Sequence, residues 1–284
     1  MFEWTMKSPL GVSLAAGLAG LALWSGPATA PPLTDGPDAA APILVQENEE
    51  FRWSGAMQPG TTLEIKGVNG EVTAEGISGG QAEVVAVKKG KDDDPSEVRI
   101  EVVEHADGVT ICAVHPRKPG KEPYECAPGK SGKIGAEDND VSVKFTVSVP
   151  RGVNLSAQTV NGGIEARSID GDVRAHTVNG GVKVSATGTA EGRTVNGSVS
   201  VSMGRAEGPL SFQTVNGSIT VELPGDAAAD VEAQTVNGSI NTDFPITVEG
   251  RFGMRRAKGT IGGGGPELSL QTVNGNINLK RASG

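Results

Sequence analysis

Beyond residue 50 the chain is written in short runs of alternating apolar and polar residues separated by turn residues, the pattern of β-strands with two unlike faces. From Phe51 strands are predicted through Leu63 to Ala74, Gln81 to Val87, Val98 to Val103, Val109 to Val114 and Val141 to Val149. Asp107-Gly108 is a hairpin turn between two of them. In the second half the alternation is broken by one recurring turn. Thr-Val-Asn-Gly begins at Thr159, Thr177, Thr194, Thr214, Thr235 and Thr272, at spacings of 18, 17, 20, 21 and 37 residues.

Asn-Gly supplies two residues tolerant of the positive φ that a tight corner needs. Repetition at near-constant spacing favours a coil, in which stacked corners bring Asn161, Asn179, Asn196, Asn216, Asn237 and Asn274 into one column. The other reading of the repeat, an array of independent hairpins, requires a second sheet to bury its faces. Ser168-Ile169-Asp170-Gly171 repeats the pattern at half the period, so each rung holds two strands and two turns. Four and two residues before each motif threonine, and five and seven after it, nearly every position is apolar or glycine: Leu210 and Phe212 before Thr214, for instance, and Ile219 and Val221 after it. Gly67-Val68-Asn69-Gly70 obeys the same rule, which places Asn69 in an early rung. The chain is therefore predicted to be all-β, a β-solenoid (β-helix-like) of stacked two-strand rungs with a hairpin and loop excursion, about 82–150, in its N-terminal half.

This parity turns each motif threonine inward. Two readings of the following valines stand: they face outward as an apolar stripe along one edge, or the corner begins early and they pack inside. The last spacing is about two periods, which predicts a degenerate rung near residue 253, where Gly250-Arg251-Phe252-Gly253-Met254-Arg255-Arg256 stands in place of the regular turn. Arg251, Arg255, Arg256 and Lys258 are the candidate contact residues there for an anionic partner; a solvated loop is the plain alternative.

Composition supports a thin core: there are 41 glycines and only 4% aromatic residues. The apolar run from Leu10 to Trp24 followed by Ala28-Thr29-Ala30 predicts a signal peptide over 1–30, cleaved or kept as an anchor, with no integral membrane segment after cleavage. Residues 31–46, rich in proline and alanine, are a linker, and 47–284 form the solenoid domain. Export makes a disulfide between Cys112 and Cys126 the default, tying the loop over 115–140 that caps or flanks the coil. A net charge of −9 disfavours nucleic acid.

No cofactor is implied, and the chemistry for catalysis is thin. His105, His115 and His176 are scattered without a metal-site or triad spacing. Asp92-Asp93-Asp94 and Glu137-Asp138-Asn139-Asp140 lack the EF-hand spacing and read as solvated loops. Inward threonines argue against an ice-binding face. The sequence thus points to a non-enzymatic, extracytoplasmic module in the periplasm or at the cell surface that binds an envelope or surface component or serves as a scaffold. A carbohydrate-active β-helix enzyme and a purely structural envelope spacer are the alternatives.

The stretch Gly259-Thr260-Ile261-Gly262-Gly263-Gly264-Gly265-Pro266 through Leu268-Ser269-Leu270-Gln271-Thr272-Val273-Asn274-Gly275-Asn276-Ile277 resembles the closing segment of a bacterial family of unknown function labelled putative adhesin, the DUF4097 type. Pro59-Gly60-Thr61-Thr62-Leu63-Glu64-Ile65 through Asn69-Gly70-Glu71-Val72 is similar to that family's opening rung. The resemblance spans roughly Phe51 to Leu279, interrupted by the cysteine-bearing excursion. It implies an extracytoplasmic β-solenoid, some relatives of which are associated with cell-envelope stress systems, and it brings no catalytic residues.

Overall fold

A computed structural model describes residues 45–46, 49–129, 134–203, 208–249 and 254–282. The expected signal (1–30), nearly all of the linker (31–46) and Arg251 lie outside them.

Each regular repeat folds as one strand, a Val-Asn-Gly corner and a second strand, because the alternating apolar side chains on both sides of the corner share one interior. Asn154–Gln158 leads through its corner to Ile164–Ile169, Val173–His176 to Val182–Ala186, Ala190–Arg193 to Val199–Met203, and Leu210–Gln213 to Ile219–Leu223. Successive rungs stack in parallel with matched register: Ile164 pairs with Val182, Val182 with Val199 and Val199 with Ile219, all buried. The result is two 11-stranded sheets, parallel through the rungs, with the core between them. The half-period turn is sharp, with Ser168 in the left-handed region at φ 52°. The core is thin enough that neighbouring rungs trade volume. A Cβ on Gly192 would lie 3.1 Å from the ring of Phe212, its cross-strand partner, so the small residue makes room for the large one.

Both chain ends depart from sequential stacking. After Ala229–Asn237 and Ile240–Thr242, the chain runs through Thr247–Glu249 and returns along Arg255–Ile261, which pairs antiparallel with Ala229–Asn237. Glu267–Asn274 and Ile277–Arg281 then insert between the rung of Thr214 and the rung of Thr235. This overturns the degenerate rung expected near residue 253: the 37-residue spacing is one rung plus an antiparallel pair of strands that covers the open sheet edge. The first end mirrors this. Thr62–Lys66 and Val72–Ile77 lie between the rung of Thr159 and a rung made by Gly108–Val114 and Ser142–Pro150.

The excursion therefore builds a rung of its own and then caps it. Arg99–His105 pairs antiparallel on one sheet, and Gln81–Lys89 followed by Glu50–Ala56 does so on the other. The buried aromatics Phe51 and Trp53 lie in this cap and Phe145 in the rung that it covers. Cys112 and Cys126 form a disulfide with a Cα–Cα distance of 5.7 Å, and a loop of this length stabilises by about 3 kcal/mol. The loop packs on the outer face of the early rung, where Glu64 and Lys66 are both buried and 3.6 Å apart. Thr110 and the Gly129 amide donate to Glu64, and Lys66 donates to the carbonyls of Ala127 and Gly129.

Candidate functional site

The repeated corner makes one continuous edge down the molecule. Thr159, Thr177, Thr194, Thr214, Thr235 and Thr272 are buried, and each hydroxyl donates to the motif-glycine carbonyl of the adjacent rung at 2.8 to 3.0 Å. The methyl can then pack inside while the hydroxyl closes the corner. The asparagines form a ladder in the spatial order Asn69, Asn161, Asn179, Asn196, Asn216, Asn274, Asn237, each Nδ2 after the first donating to the preceding Oδ1 at 2.8 to 2.9 Å. At its first end the ladder is capped from the disulfide loop, since Asn69 Nδ2 donates to the Asn139 carbonyl at 3.4 Å.

With threonine inside and asparagine in the ladder, the valine between them points out. Val178, Val195, Val215 and Val273 are 38–39% exposed, Val160 and Val236 are half-buried, and Val68 is buried. Beside the stripe, the residues preceding the threonines form a parallel column: Gln158, His176, Arg193, Gln213, Gln271 and Gln234. Val195, Val215, Val273 and Val236 on one side and Arg193 with the three distal glutamines on the other line a groove of about 380 Å³. Its lining contains no carboxylate, histidine or thiol. The glutamine column was missed from sequence, although its signal, a polar residue one place before each motif, is present in every repeat.

The basic residues of the last segment fall at the distal end of this edge. Arg256 is the backbone partner of Gln234, which lines the groove, so the two features adjoin. Arg256 and Lys258 are both engaged with Glu232, at 2.8 and 3.6 Å, on one face of their strand, whereas Arg255, also exposed, falls on the other face by the strand's alternation, so the three do not share one face. A second polar cavity of about 340 Å³ lies over the disulfide loop, where the Arg117 guanidinium stands 4.7 Å above the Tyr124 ring. Among the described residues no group of three or more His, Cys, Asp or Glu could hold a metal ion, and no helix is long and apolar enough to cross a membrane.

Two histidines tie the edge to pH. His115 Nδ1 lies 2.9 Å from Asn139 Oδ1, so it positions the residue that caps the ladder, and burial pushes its pKa down. His176, in the polar column, is also pushed down by burial, opposed by Glu191 at 3.3 Å. A base whose folded pKa is depressed binds fewer protons folded than unfolded, so its stabilising contribution is complete above the ordinary value of 6.5 and is lost as pH falls below it. Urea midpoints are expected to drop between about pH 7.5 and about pH 5.5, above the range where carboxylates titrate, and His115→Gln is expected to flatten part of that slope.

Stacked asparagine corners, buried threonines and two parallel sheets define a parallel β-solenoid of two-strand rungs presenting an apolar edge. Residues 55–280 match the family described as Toastrack DUF4097, and the chain belongs to that family. Among solved structures it is similar to a "putative cell adhesion protein" from Clostridium sporogenes ATCC 15579, at 13% identity and a TM-score of 0.46 over 82% of this chain and 100% of that one. It is also similar to a "putative adhesin" from Bacteroides fragilis NCTC 9343, at 12% identity and a TM-score of 0.28 over 83% and 98%. A "putative adhesin" from Parabacteroides merdae ATCC 43184 matches at 12% identity and a TM-score of 0.20 over 83% and 97%. No curated protein sequence matches.

Proposed function

We propose that this chain is a non-enzymatic, exported scaffold that binds a protein component of the cell envelope or surface along its valine edge. The observation that carries the reading is the groove beside Val195, Val215, Val273 and Val236. In a chain of net charge −9 it is lined by aliphatic methyls, carboxamides and one arginine, without an acid. Exposed methyls repeated at rung spacing supply apolar contact, and the glutamine amides supply donors and acceptors that carry no charge to desolvate, while Arg193 is already paired with Glu191 at 2.8 Å. The Cys112–Cys126 disulfide supports an oxidising, extracytoplasmic location. The same lining offers no nucleophile activated by a base, which supports contact over catalysis.

The test is a pull-down from envelope fractions. Val215 is 39% exposed, so Val215→Asp is expected to shift stability by no more than about 0.5 kcal/mol while placing a charge in the middle of the stripe. Loss of the wild-type partners with Val215→Asp, and their retention by Arg255→Glu/Arg256→Glu, supports the edge. An unchanged set of partners with Val215→Asp overturns it.

A further inference from the structure

We infer that Asn237-Gly238, alone among the Asn-Gly pairs of the ladder, is a site of spontaneous deamidation in the folded protein. All of these pairs share the Val-Asn-Gly sequence, and Asn-Gly is the dipeptide in which a backbone amide most easily reaches the asparagine side chain, because glycine puts no side chain in the way. What separates them is hydrogen bonding. The amides of Gly70, Gly162, Gly180, Gly197, Gly217 and Gly275 each donate to the asparagine carbonyl of the next rung at 2.8 to 3.0 Å. Gly238 belongs to the last rung of the stack, and its amide has no partner among the described residues.

The side chains follow the same asymmetry. Asn161, Asn179, Asn196, Asn216 and Asn274 each donate to one neighbour and accept from another, which holds their carboxamides in line with the ladder. Asn69, at the first end, accepts from Asn161 and donates to the Asn139 carbonyl, and its Gly70 amide is taken. Asn237 donates to Asn274 at 2.8 Å, but its Oδ1 accepts nothing among the described residues, and the residue is exposed. Among the described residues the far end of the ladder thus leaves the nucleophile of one reaction without a hydrogen-bond partner and holds the electrophile by one bond where the interior asparagines have two.

In that reaction the Gly238 amide nitrogen loses its proton to hydroxide and attacks Asn237 Cγ. The N–Cγ bond forms, the Cγ–Nδ2 bond breaks, and nitrogen leaves as ammonia, giving a succinimide. Water then opens the ring at either carbonyl to yield aspartate or isoaspartate, so an NH₂ group has been exchanged for OH. The product places a carboxylate next to Val236, at the distal end of the valine groove.

The experiment is peptide mapping of the full chain after prolonged incubation at mildly alkaline pH, with isoaspartate and aspartate located by mass spectrometry. A parallel sample is kept unfolded in urea to normalise for the residue after each glycine. With two fewer hydrogen bonds to break, Asn237 in the folded chain is expected to convert roughly tenfold faster or more than any other ladder asparagine. In urea the conversions are expected to spread over all of them. Equal conversion of the ladder asparagines in the folded chain, conversion led by another of them, or no conversion of Asn237 while the urea sample reacts would overturn the inference. Gly238→Ala is unsuitable as a control, because its Cβ would lie 1.9 Å from the Gly275 carbonyl oxygen.

Discussion

Gly197→Ala is expected to cost more than about 4 kcal/mol, a large part of the total stability of a domain, and to leave most of the chain insoluble on expression. The reason is close approach. A Cβ on Gly197 would lie 2.0 Å from the carbonyl oxygen of Gly180 and 2.5 Å from its carbon, backbone atoms that no rotamer change can move. Relief requires the two rungs to part at the corner. That separation strains the Asn196 to Asn179 bond and the bond from the Thr194 hydroxyl to the Gly180 carbonyl, so one methyl disturbs both the side-chain ladder and the threonine closure of the corner. Gly263→Ala is the control: nothing lies within 4 Å of its added Cβ, and its unfolding midpoint is expected to stay near that of wild type. A Gly197→Ala chain that is soluble and unfolds with wild-type cooperativity would show that the corners are not in contact as described.

Lys66→Met is expected to cost about 3–5 kcal/mol in urea unfolding, because removing one member of a buried ion pair strands the other. Glu64, whose side chain is 7% exposed, would keep its bonds from Thr110 and the Gly129 amide but lose the cation 3.6 Å away. The carbonyls of Ala127 and Gly129 would lose their ammonium donor beneath the disulfide loop. Glu64→Gln/Lys66→Met is expected to cost less than the sum of its two single changes by about 1–3 kcal/mol, since the second substitution removes the charge stranded by the first. Strict additivity in that cycle would mean that the pair is solvated and that the loop does not cover it.

Much of the coil was legible because its signal is local and repeated. The parity of Leu155, Ala157, Ile164 and Ala166 around Thr159 recurs in each rung and corresponds to the buried positions. Two features were not legible, for different reasons. Rung order is not encoded in the repeat: Thr272 and Thr235 carry the same motif, and what places the rung of Thr272 inside that of Thr235 is the antiparallel pairing of Arg255–Ile261, a long-range choice of edge. The burial of Glu64 and Lys66 is equally non-local. On their strand they occupy outward positions, and the segment that follows Cys126, through Ala127 and Gly129, folds back over them. The orientation of the valines stood open between two readings because the corner absorbs a step of the alternation, and the structure resolves it with Val178, Val195, Val215 and Val273 outside.

The corners form a single stack in which Asn216 is followed by Asn274 and then by Asn237, with the valines on the outside. Adjacent parallel strands lie about 4.8 Å apart, within the Cα span a disulfide accepts, whereas positions two rungs apart, at roughly 9.6 Å, are beyond it. The direct measurement is a thiol count after mild oxidation of two double variants, Val215→Cys/Val273→Cys and Val215→Cys/Val236→Cys. The first pair is expected to close a disulfide and the second to keep two reactive thiols. Closure of the second pair with two free thiols in the first would place the rungs in their sequence order, against the stacking of Asn274 between Asn216 and Asn237.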